Sequence, residues 1–473
     1  MACRHLVPGL TLIILVSTAV SSRSDEATTF RYGADERARW EYFDHIPSKV
    51  DVPAYSRIGE NDYFRFRTRI WSEIDLLPTV TARARIVNES RSWIYPDMSD
   101  RPQRSSSEWP DEWVFDNLYL DARDLLDKSM DIRIGRQELV YGNGRVLLDG
   151  TPGDGSRTLY FNAVKASVKS IPESQLDIFG IYNEPEDQWA INGAQRDLSA
   201  FAKAPAGVTE SGAGMYLTNA TVKNLPFEAY LIFKRESGYN QPVKPDAAGK
   251  FPAPAFGWQT LDTSAKVLRN PDADIETAGV RLMPVFTDAL TGNLEVAGQY
   301  GSHGDTELHG YMVDASLARK FATAPATPVL KGGVYILSGD DPKTDTDEGW
   351  NPLWSRCPQS SELFVFAYDA EQSAFRWSNL VDPNLALSIT PAKWAKTTAT
   401  IHYLAALEAD GNGGGRERGW MGQLRQDFTL AENSLRKKDK LTTYFLLECL
   451  EPGNYYKKSD TALFARWEVL YTF

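Results

Sequence analysis

The stretch Asp131–Val168 reads DIRIGRQELVYGNGRVLLDGTPGDGSRTLYFNAVKASV. It begins as an alternating strand, breaks at a run of glycines between Gly142 and Gly155, and resumes as a strand near Thr158. Successive side chains of a β-strand point to opposite faces. Arginines recur here beside apolar residues, namely Arg133, Arg136, Arg145 and Arg157. The fold therefore depends on which solvent meets each face of these strands.

A second segment, Tyr63–Trp71, shows the alternation more clearly, and Val80–Val87 repeats it after the break at Leu77 and Pro78. One face of the first strand carries Phe64, Phe66 and Ile70. The arginines of both strands lie on the opposite face: Arg65, Arg67, Arg69, Arg83 and Arg85. The two segments therefore predict a hairpin with one apolar and one basic face.

Alternating segments recur along most of the chain, and helical periodicity is almost absent. We predict 18 to 20 strands, which include Val114–Asp121, Leu176–Tyr182, Leu308–Arg319, Leu363–Tyr368, Phe375–Leu380 and Ala462–Phe473. Short turns alternate with long polar connections rich in Pro, Gly, Ser and Asp. A compact soluble domain seldom has several structureless loops longer than ~15 residues. Short turns on one rim and long loops on the other are typical of an outer-membrane barrel.

Composition and the ends of the chain narrow the class. The chain has 473 residues and a net charge of −12, which argues against nucleic acid as the main partner. Residues 1–21 have the charge, apolar run and small cleavage residues of a secretory signal, so residues 22–473 form one predicted barrel domain. The last strand is apolar on the face of Phe473, which is typical of a barrel, although an edge strand of a soluble sandwich is the alternative.

The alternation of arginine with apolar residues predicts which face meets lipid. Strands span a membrane only as closed barrels, because every backbone group must be paired. An arginine on the lipid face near the bilayer midplane costs ~2–4 kcal/mol, so the arginine face is expected to be the lumen. The predicted pore residues are Arg65, Arg67, Arg69, Arg83, Arg85, Arg133, Arg136, Arg157 and Arg466. They form one predicted basic wall that favours anions, unless Asp75, Asp116, Asp121 and Glu468 neutralise them and only brace the lumen.

The segment Ile132–Leu139, with its apolar-Arg-apolar-Gly-Arg-Gln order, resembles a strand of the alginate-export family of outer-membrane barrels. Arg157 and Thr158 before Val164–Ala166, Ser338–Asp341 before Trp350–Leu353, and the terminal strand from Trp467 also resemble it. The resemblance implies a monomeric barrel of about 18 antiparallel strands with long extracellular loops and short periplasmic turns. It also implies an arginine-lined pore for an anionic polysaccharide, with Arg133 and Arg136 as the pore candidates by motif.

We therefore expect a bacterial outer-membrane channel or exporter for an alginate-like polysaccharide or another anionic solute. The alternatives are a general porin without polymer specificity, a barrel enzyme that uses a histidine such as His402, and a secreted carbohydrate-binding β-protein. No cofactor or metal site is expected. The expected partners are the transported anion, outer-membrane lipid and lipopolysaccharide, and the barrel-assembly machinery, which would bind the strand that ends at Phe473.

Overall fold

The structure is a computed structural model that describes most of the chain. The described residues are 29–48, 59–96, 107–108, 112–148, 160–187, 189, 191, 196–197, 208–243, 245, 251, 259–355, 360–364, 377–411, 413–457 and 460–473. The predicted signal, residues 1–21, and Arg157 lie outside them. Among the described residues, no helix has both the length and the apolar character needed to cross a bilayer.

Eighteen long strands form one closed antiparallel barrel. In chain order they are β1 Phe30–Asp44, β2 Asn61–Leu77, β3 Val80–Tyr95, β4 Trp113–Asp124, β5 Met130–Gln137, β6 Phe161–Val168, β7 Ser174–Asn183, β8 Glu210–Asn219, β9 Phe227–Glu236, β10 Ala273–Leu282, β11 Leu290–His303, β12 Thr306–Lys320, β13 Val329–Leu337, β14 Leu380–Ala392, β15 Ala395–Ala405, β16 Glu417–Glu432, β17 Lys440–Pro452 and β18 Ala462–Thr472. The predicted antiparallel barrel of about 18 strands is therefore confirmed.

Each strand pairs with the next, and the barrel closes where β1 pairs with both β2 and β18. At this seam Trp40 of β1 lies opposite Phe64 of β2 and Trp467 of β18. Short pairings outside the 18 strands occur at Ser107–Glu108, Leu147–Leu148, Glu186–Asp187, Arg196–Asp197, Tyr239–Pro242, Thr260–Asp262, Val267–Asn270, Val285–Thr287 and Trp354–Ser355. A single turn, Leu125–Lys128, joins β4 to β5.

The two rims differ in the length of their connections. One rim carries the connections 45–60, 96–112, 138–160, 184–209, 237–272, 304–305, 338–379, 406–416 and 453–461. The other carries 78–79, 125–129, 169–173, 220–226, 283–289, 321–328, 393–394 and 433–439. Long loops face the cell exterior and short turns face the periplasm in outer-membrane barrels. This assignment places the start of β1 and the end of β18 at the periplasmic rim.

The outer surface has the apolar band that lipid requires. Phe64, Phe66 and Ile70 are exposed, whereas Arg65 and Arg67 between them are buried. Exposed aromatic side chains lie near both rims, as expected of interfacial girdles. Those near the periplasmic rim are Phe30, Tyr32, Phe286, Phe321, Trp394 and Phe473, and those near the extracellular rim are Tyr182, Tyr300, Tyr311 and Trp420.

The sequence prediction was wrong at two places. We did not predict β1, because its outward face includes Ala34, Glu36 and Ala38, which do not form an apolar row. We predicted a strand over Leu363–Tyr368, but residues 363 and 364 are helical and the rest lie outside the described residues. The predicted strand Phe375–Leu380 is described only from residue 377, and of this part only Leu380, the first residue of β14, is in a strand.

Candidate functional site

Buried ion pairs fill the inside of the barrel where it closes. The arginines of this group are Arg37, Arg39, Arg65, Arg67, Arg69 and Arg466, and its carboxylates are Asp35, Glu41, Glu89, Glu468 and Glu362. We call this set the seam cluster. It exists because β1, β2, β3 and β18 are neighbours and each presents charged side chains at alternate, inward positions.

Glu41 and Glu468 hold the side of the seam cluster on β1 and β18. The Arg39 Nε donates to Glu468 at 2.8 Å, and its Nη1 donates to Glu41 at 3.2 Å. The Arg466 Nε also donates to Glu41, at 2.7 Å, and its Nη1 donates to Glu362 of a long loop at 2.6 Å. Glu41 is fully buried, so its charge is stabilised by these guanidinium groups rather than by water.

The β2 side of the cluster is paired in the same way. The Arg65 Nε donates to Glu89 at 2.8 Å. Arg67 Nη2 and Arg69 Nε both donate to Asp35, at 2.9 and 2.7 Å. Sequence reasoning identified Arg65, Arg67 and Arg69 but missed Arg37 and Arg39, because the strand that carries them was not predicted.

A second set of ion pairs continues around the wall through β3, β4 and β5. Arg85 donates to Asp116 at 2.9 Å and also to Glu138, and Arg83 donates to Glu73. Further round, Arg133 donates to Asp121 at 3.0 Å and stacks on Tyr119. Near the periplasmic rim, Asp75 accepts from Arg31 at 2.6 Å.

Each of the four carboxylates that we proposed as neutralising partners, Asp75, Asp116, Asp121 and Glu468, therefore bonds an arginine. The wall is therefore a paired surface, which is the alternative that the sequence left open. The structure places eight of the nine predicted pore arginines within its described residues, and seven of these lie inside the barrel. Their contribution to transport stays a prediction.

Arg136 requires a correction, because its side chain lies on the opposite face of β5 from Arg133. It is opposite Leu118 of β4 and Asn162 of β6, and it shares its face with Ile132 and Ile134. Its guanidinium group stacks on Tyr160 and Trp189, with centroid distances of 3.9 and 5.2 Å. The two arginines are three residues apart, so strand alternation puts them on opposite faces. The sequence prediction that Arg136 faces the pore together with Arg133 was therefore wrong.

The glycine-rich segment after β5 crosses the inside of the barrel. We call residues 139–148 the crossing segment. The Arg281 Nη2 of β10 donates to Asn143 at 2.8 Å, and Arg145 Nε donates to Asp314 of β12 at 2.8 Å. Gly142 and Gly144 have φ of +57° and +70°, and a Cβ on Gly142 would lie 2.8 Å from the Tyr216 hydroxyl. Glycine is therefore required where the segment turns against the opposite wall.

Aromatic rings fix the first part of the crossing segment. Tyr141 stacks on Tyr216 at 4.4 Å and on Phe179 at 5.5 Å, and its hydroxyl donates to Asp177 at 2.9 Å. Tyr216 in turn stacks on Tyr230 at 5.4 Å. These contacts join β7, β8 and β9 to a segment that begins after β5.

A second loop packs onto the crossing segment. Leu147–Leu148 pair in parallel with Trp354–Ser355, which belong to the long connection 338–379. The Lys234 Nζ donates to the Leu353 carbonyl at 2.8 Å, and Gln299 Nε2 donates to the Asn351 carbonyl at 2.7 Å. Leu147, Leu353 and Trp354 are fully buried in the main hydrophobic cluster. The two loops thus narrow the lumen.

The second loop, residues 338–379, carries a carboxylate whose ionisation we expect to destabilise the folded loop. Burial, and then the charge of Asp347, raise the pKa of Asp340 to about 7, from about 4 when the chain is unfolded. Because the folded pKa is raised, the stabilisation is complete below about pH 4 and is lost as the pH rises through about 7. From pH 5 to pH 8 we expect hydrogen-exchange protection of the Asp347 and Trp350 amides to fall about tenfold, a change reduced by partial solvent exposure. Asp340→Asn should remove this pH dependence, whereas Asp345→Asn in the same loop should retain it.

His402 has neighbours that do not resemble a hydrolytic site. Its Nδ1 lies 2.8 Å from Asp382, as in a catalytic pair, but its Nε2 lies 3.1 Å from Gln423. The nearby Ser361 hydroxyl donates to Glu448 at 2.9 Å. Hydrolytic catalysis needs a nucleophile within reach of the histidine. Among the described residues, no group of three His, Cys, Asp or Glu side chains could hold a metal ion.

A closed outer-membrane barrel with charged walls and inward loops defines a channel of the bacterial outer membrane. Residues 252–422 match the sequence model of the family described as alginate export. The predicted resemblance to that family is therefore confirmed. The matched residues include Ser338–Asp341 and Trp350–Leu353, whereas the β5 motif lies outside them. No curated protein sequence is similar enough to the chain to match it.

Solved structures from Pseudomonas aeruginosa share the fold. The chain aligns with OccK1 (OpdK) at a TM-score of 0.55 and 11% identity, covering 93% of this chain and 98% of that one. OccK5 (OpdH) aligns at 0.53 and 11%, with the same coverage. OccK8 (OprE) aligns at 0.54 and 9%, covering 94% and 98%. At such low identity these similarities concern the fold alone.

Proposed function

We propose that this outer-membrane channel passes anions, and that its substrate is an anionic polysaccharide of the alginate type. The seam cluster carries the proposal. Six arginines meet five carboxylates there, namely Arg37, Arg39, Arg65, Arg67, Arg69 and Arg466 against Asp35, Glu41, Glu89, Glu468 and Glu362. The cluster therefore has one more positive than negative charge, inside a chain whose net charge is −12.

Paired arginines suit passage better than unpaired ones would. A guanidinium group stays charged at any relevant pH and binds carboxylates through two parallel hydrogen bonds. The carboxylates of the protein already occupy this geometry, so a carboxylate of the solute can replace one of them with little net change in energy. A channel needs binding that is weak enough to let the solute leave. The match to the alginate-export family supports a uronate polymer as that solute.

The more exposed arginines are the ones that a solute can reach. The side chains of Arg69, Arg83 and Arg133 are 16, 19 and 29% exposed, whereas Arg37 and Arg39 are 2% exposed. The first three lie on β2, β3 and β5. These strands follow one another around the wall, except that β4, which carries Asp121, lies between β3 and β5. We therefore assign solute contact to these three and electrostatic support to the buried ones.

Ion selectivity in planar bilayers tests the proposal, and the two faces of β5 provide a matched pair of variants. In a KCl gradient the unmodified channel should prefer chloride. Arg133→Gln should lower the chloride-to-potassium permeability ratio about twofold, because Asp121 loses its counter-charge in the lumen. Arg136→Gln removes the same charge from the outer face and should leave the ratio unchanged. Cation preference in the unmodified channel would contradict the proposal.

A second measurement distinguishes a polymer-specific channel from a general porin. Oligomers of galacturonate should block the current of a polymer channel for times that lengthen with chain length, because more carboxylates exchange along the wall. A general porin should show block times that do not depend on chain length. A hydrolytic activity that is lost in His402→Ala would instead support the enzyme alternative.

A further inference from the structure

Four lysines lie on the inward face of the barrel at the periplasmic mouth, on β12, β13, β15 and β17. They are Lys320, Lys331, Lys396 and Lys440. We call them the lysine arc. Lys320 shares a strand face with Asp314, and Lys331 shares one with Tyr335. Both Asp314 and Tyr335 contact Arg145 of the crossing segment, so this face is the inner one.

The other two lysines are placed by the same argument. Lys396 shares its face with His402, which is buried inside the barrel, and it lies opposite Asp427. Lys440 shares its face with Tyr444, whose hydroxyl contacts Glu468 of the seam cluster. All four lysines are exposed, and each lies within three residues of the periplasmic end of its strand.

The arc is poorly neutralised, unlike the wall above it. Lys320, Lys331 and Lys396 form no ion pair with any described residue, and Lys440 pairs only with Glu432, at 3.0 Å between half-exposed side chains. Five more exposed basic residues flank the arc, one at the end of β12 and four on the adjoining turns: Arg319, Lys393, Arg436, Lys437 and Lys438. The acidic residues of these turns are Glu432 and Asp439.

The extracellular rim has the opposite sign. In its connection 338–379, the first ten residues include Asp340, Asp341, Asp345 and Asp347, and Glu348 follows, against one basic residue, Lys343. Charges of one sign around a mouth raise the local concentration of the opposite ion and speed its association. A polyanion is therefore attracted to the periplasmic mouth and repelled from the exterior.

We propose that the lysine arc is a capture site for a carboxylate-bearing chain that reaches the barrel from the periplasm. Lysine is a compact charge on a flexible stem, which holds an anion without fixing its orientation. Lysine therefore suits the initial binding of the polyanion, whereas the arginines deeper inside the lumen form bidentate hydrogen bonds with carboxylates. Because the arc faces the lumen, lipid headgroups on the outer surface do not meet it. The inference rests on the proposed function and adds a direction, from periplasm to exterior.

The test compares blockade from the two sides of a bilayer in which the full-length channels share one orientation. Galacturonate oligomers are added to either chamber, and the blockade on-rate is measured in 0.1 M and 1 M KCl. The triple variant Lys320→Gln, Lys331→Gln, Lys396→Gln should lower the periplasmic on-rate about tenfold in 0.1 M KCl. The effect should disappear in 1 M KCl, where the Debye length is about 3 Å. The extracellular on-rate should not change.

The matched control removes the same charge from elsewhere on the periplasmic rim, as Lys128→Gln, Lys169→Gln, Lys223→Gln. These residues are exposed and lie outside the arc, so the on-rate should fall less than twofold. Equal losses in the two triple variants, or equal on-rates from both sides in the unmodified channel, would overturn the proposal. The chloride-to-potassium ratio is measured on the same channels. It reports on the proposed anion channel separately, so the two proposals can fail independently.

Discussion

Replacing residues 140–147 of the crossing segment with two glycines is expected to raise the single-channel conductance about threefold. This segment leaves the wall after β5 and is held by the far wall, through Asn143 to Arg281 and Arg145 to Asp314. The replacement also removes Leu147, which pairs with Trp354 of the second loop. Both obstacles in the lumen are thus reduced, while every barrel strand keeps its neighbours.

A milder variant distinguishes two effects of the crossing segment on the current: the volume that it fills and its hydrogen bonds to the far wall. Asn143→Ala with Arg145→Ala keeps every backbone atom but removes the side-chain hydrogen bonds of both residues to the far wall. We expect mean conductance to change less than in the deletion, and open-channel current noise to increase as the segment moves. A deletion variant that folds into the heat-modifiable barrel form yet conducts as the unmodified protein does would show that the segment does not limit the current.

Strand alternation carried most of the successful prediction. It works because a barrel strand meets two solvents, and a one-residue shift would exchange the lipid and lumen faces. Arg65, Arg67 and Arg69 were therefore assigned correctly to the inside. The same rule would have moved Arg136 to the outside, since it lies three residues from Arg133. It could not reveal β1, because lipid-facing Ala34 and Ala38 are too small, and Glu36 too polar, to form an apolar row.

The sequence could not predict the partners of the inward loops or of the arginines. Arg145 and Asp314 are 169 positions apart, and no local pattern links them. The glycines of residues 142–144 indicated a turn, but a turn has no preferred destination along the chain. Acidic residues near the arginines suggested neutralisation, and the register of β1, β2 and β18 then determined each pair. Glu362 shows the limit of this reasoning, because it reaches Arg466 from a loop.

The seam cluster should be the most sensitive part of the barrel to the loss of one charge. Glu41 is fully buried and accepts from Arg39 and Arg466, and Arg65 lies within 3.8 Å. Glu41→Gln leaves these buried guanidinium groups with one negative charge fewer. Removing one partner of a buried ion pair costs about 3–5 kcal/mol, so we expect a large fall in the midpoint of heat unfolding. This midpoint is measured by gel electrophoresis of samples heated to increasing temperatures, as the temperature at which half of the protein has left the folded band.

A double variant determines whether the loss comes from charge imbalance or from packing. Arg466→Gln alone should also destabilise the barrel, because Glu41 and Glu362 lose a shared donor. If the imbalance is the cause, Glu41→Gln combined with Arg466→Gln should recover at least half of the lost stability, since the two neutral amides can bond each other. Additive losses would instead assign the effect to packing. Glu408→Gln is the control, because its partner Arg416 is 61% exposed and such pairs contribute less than about 1 kcal/mol.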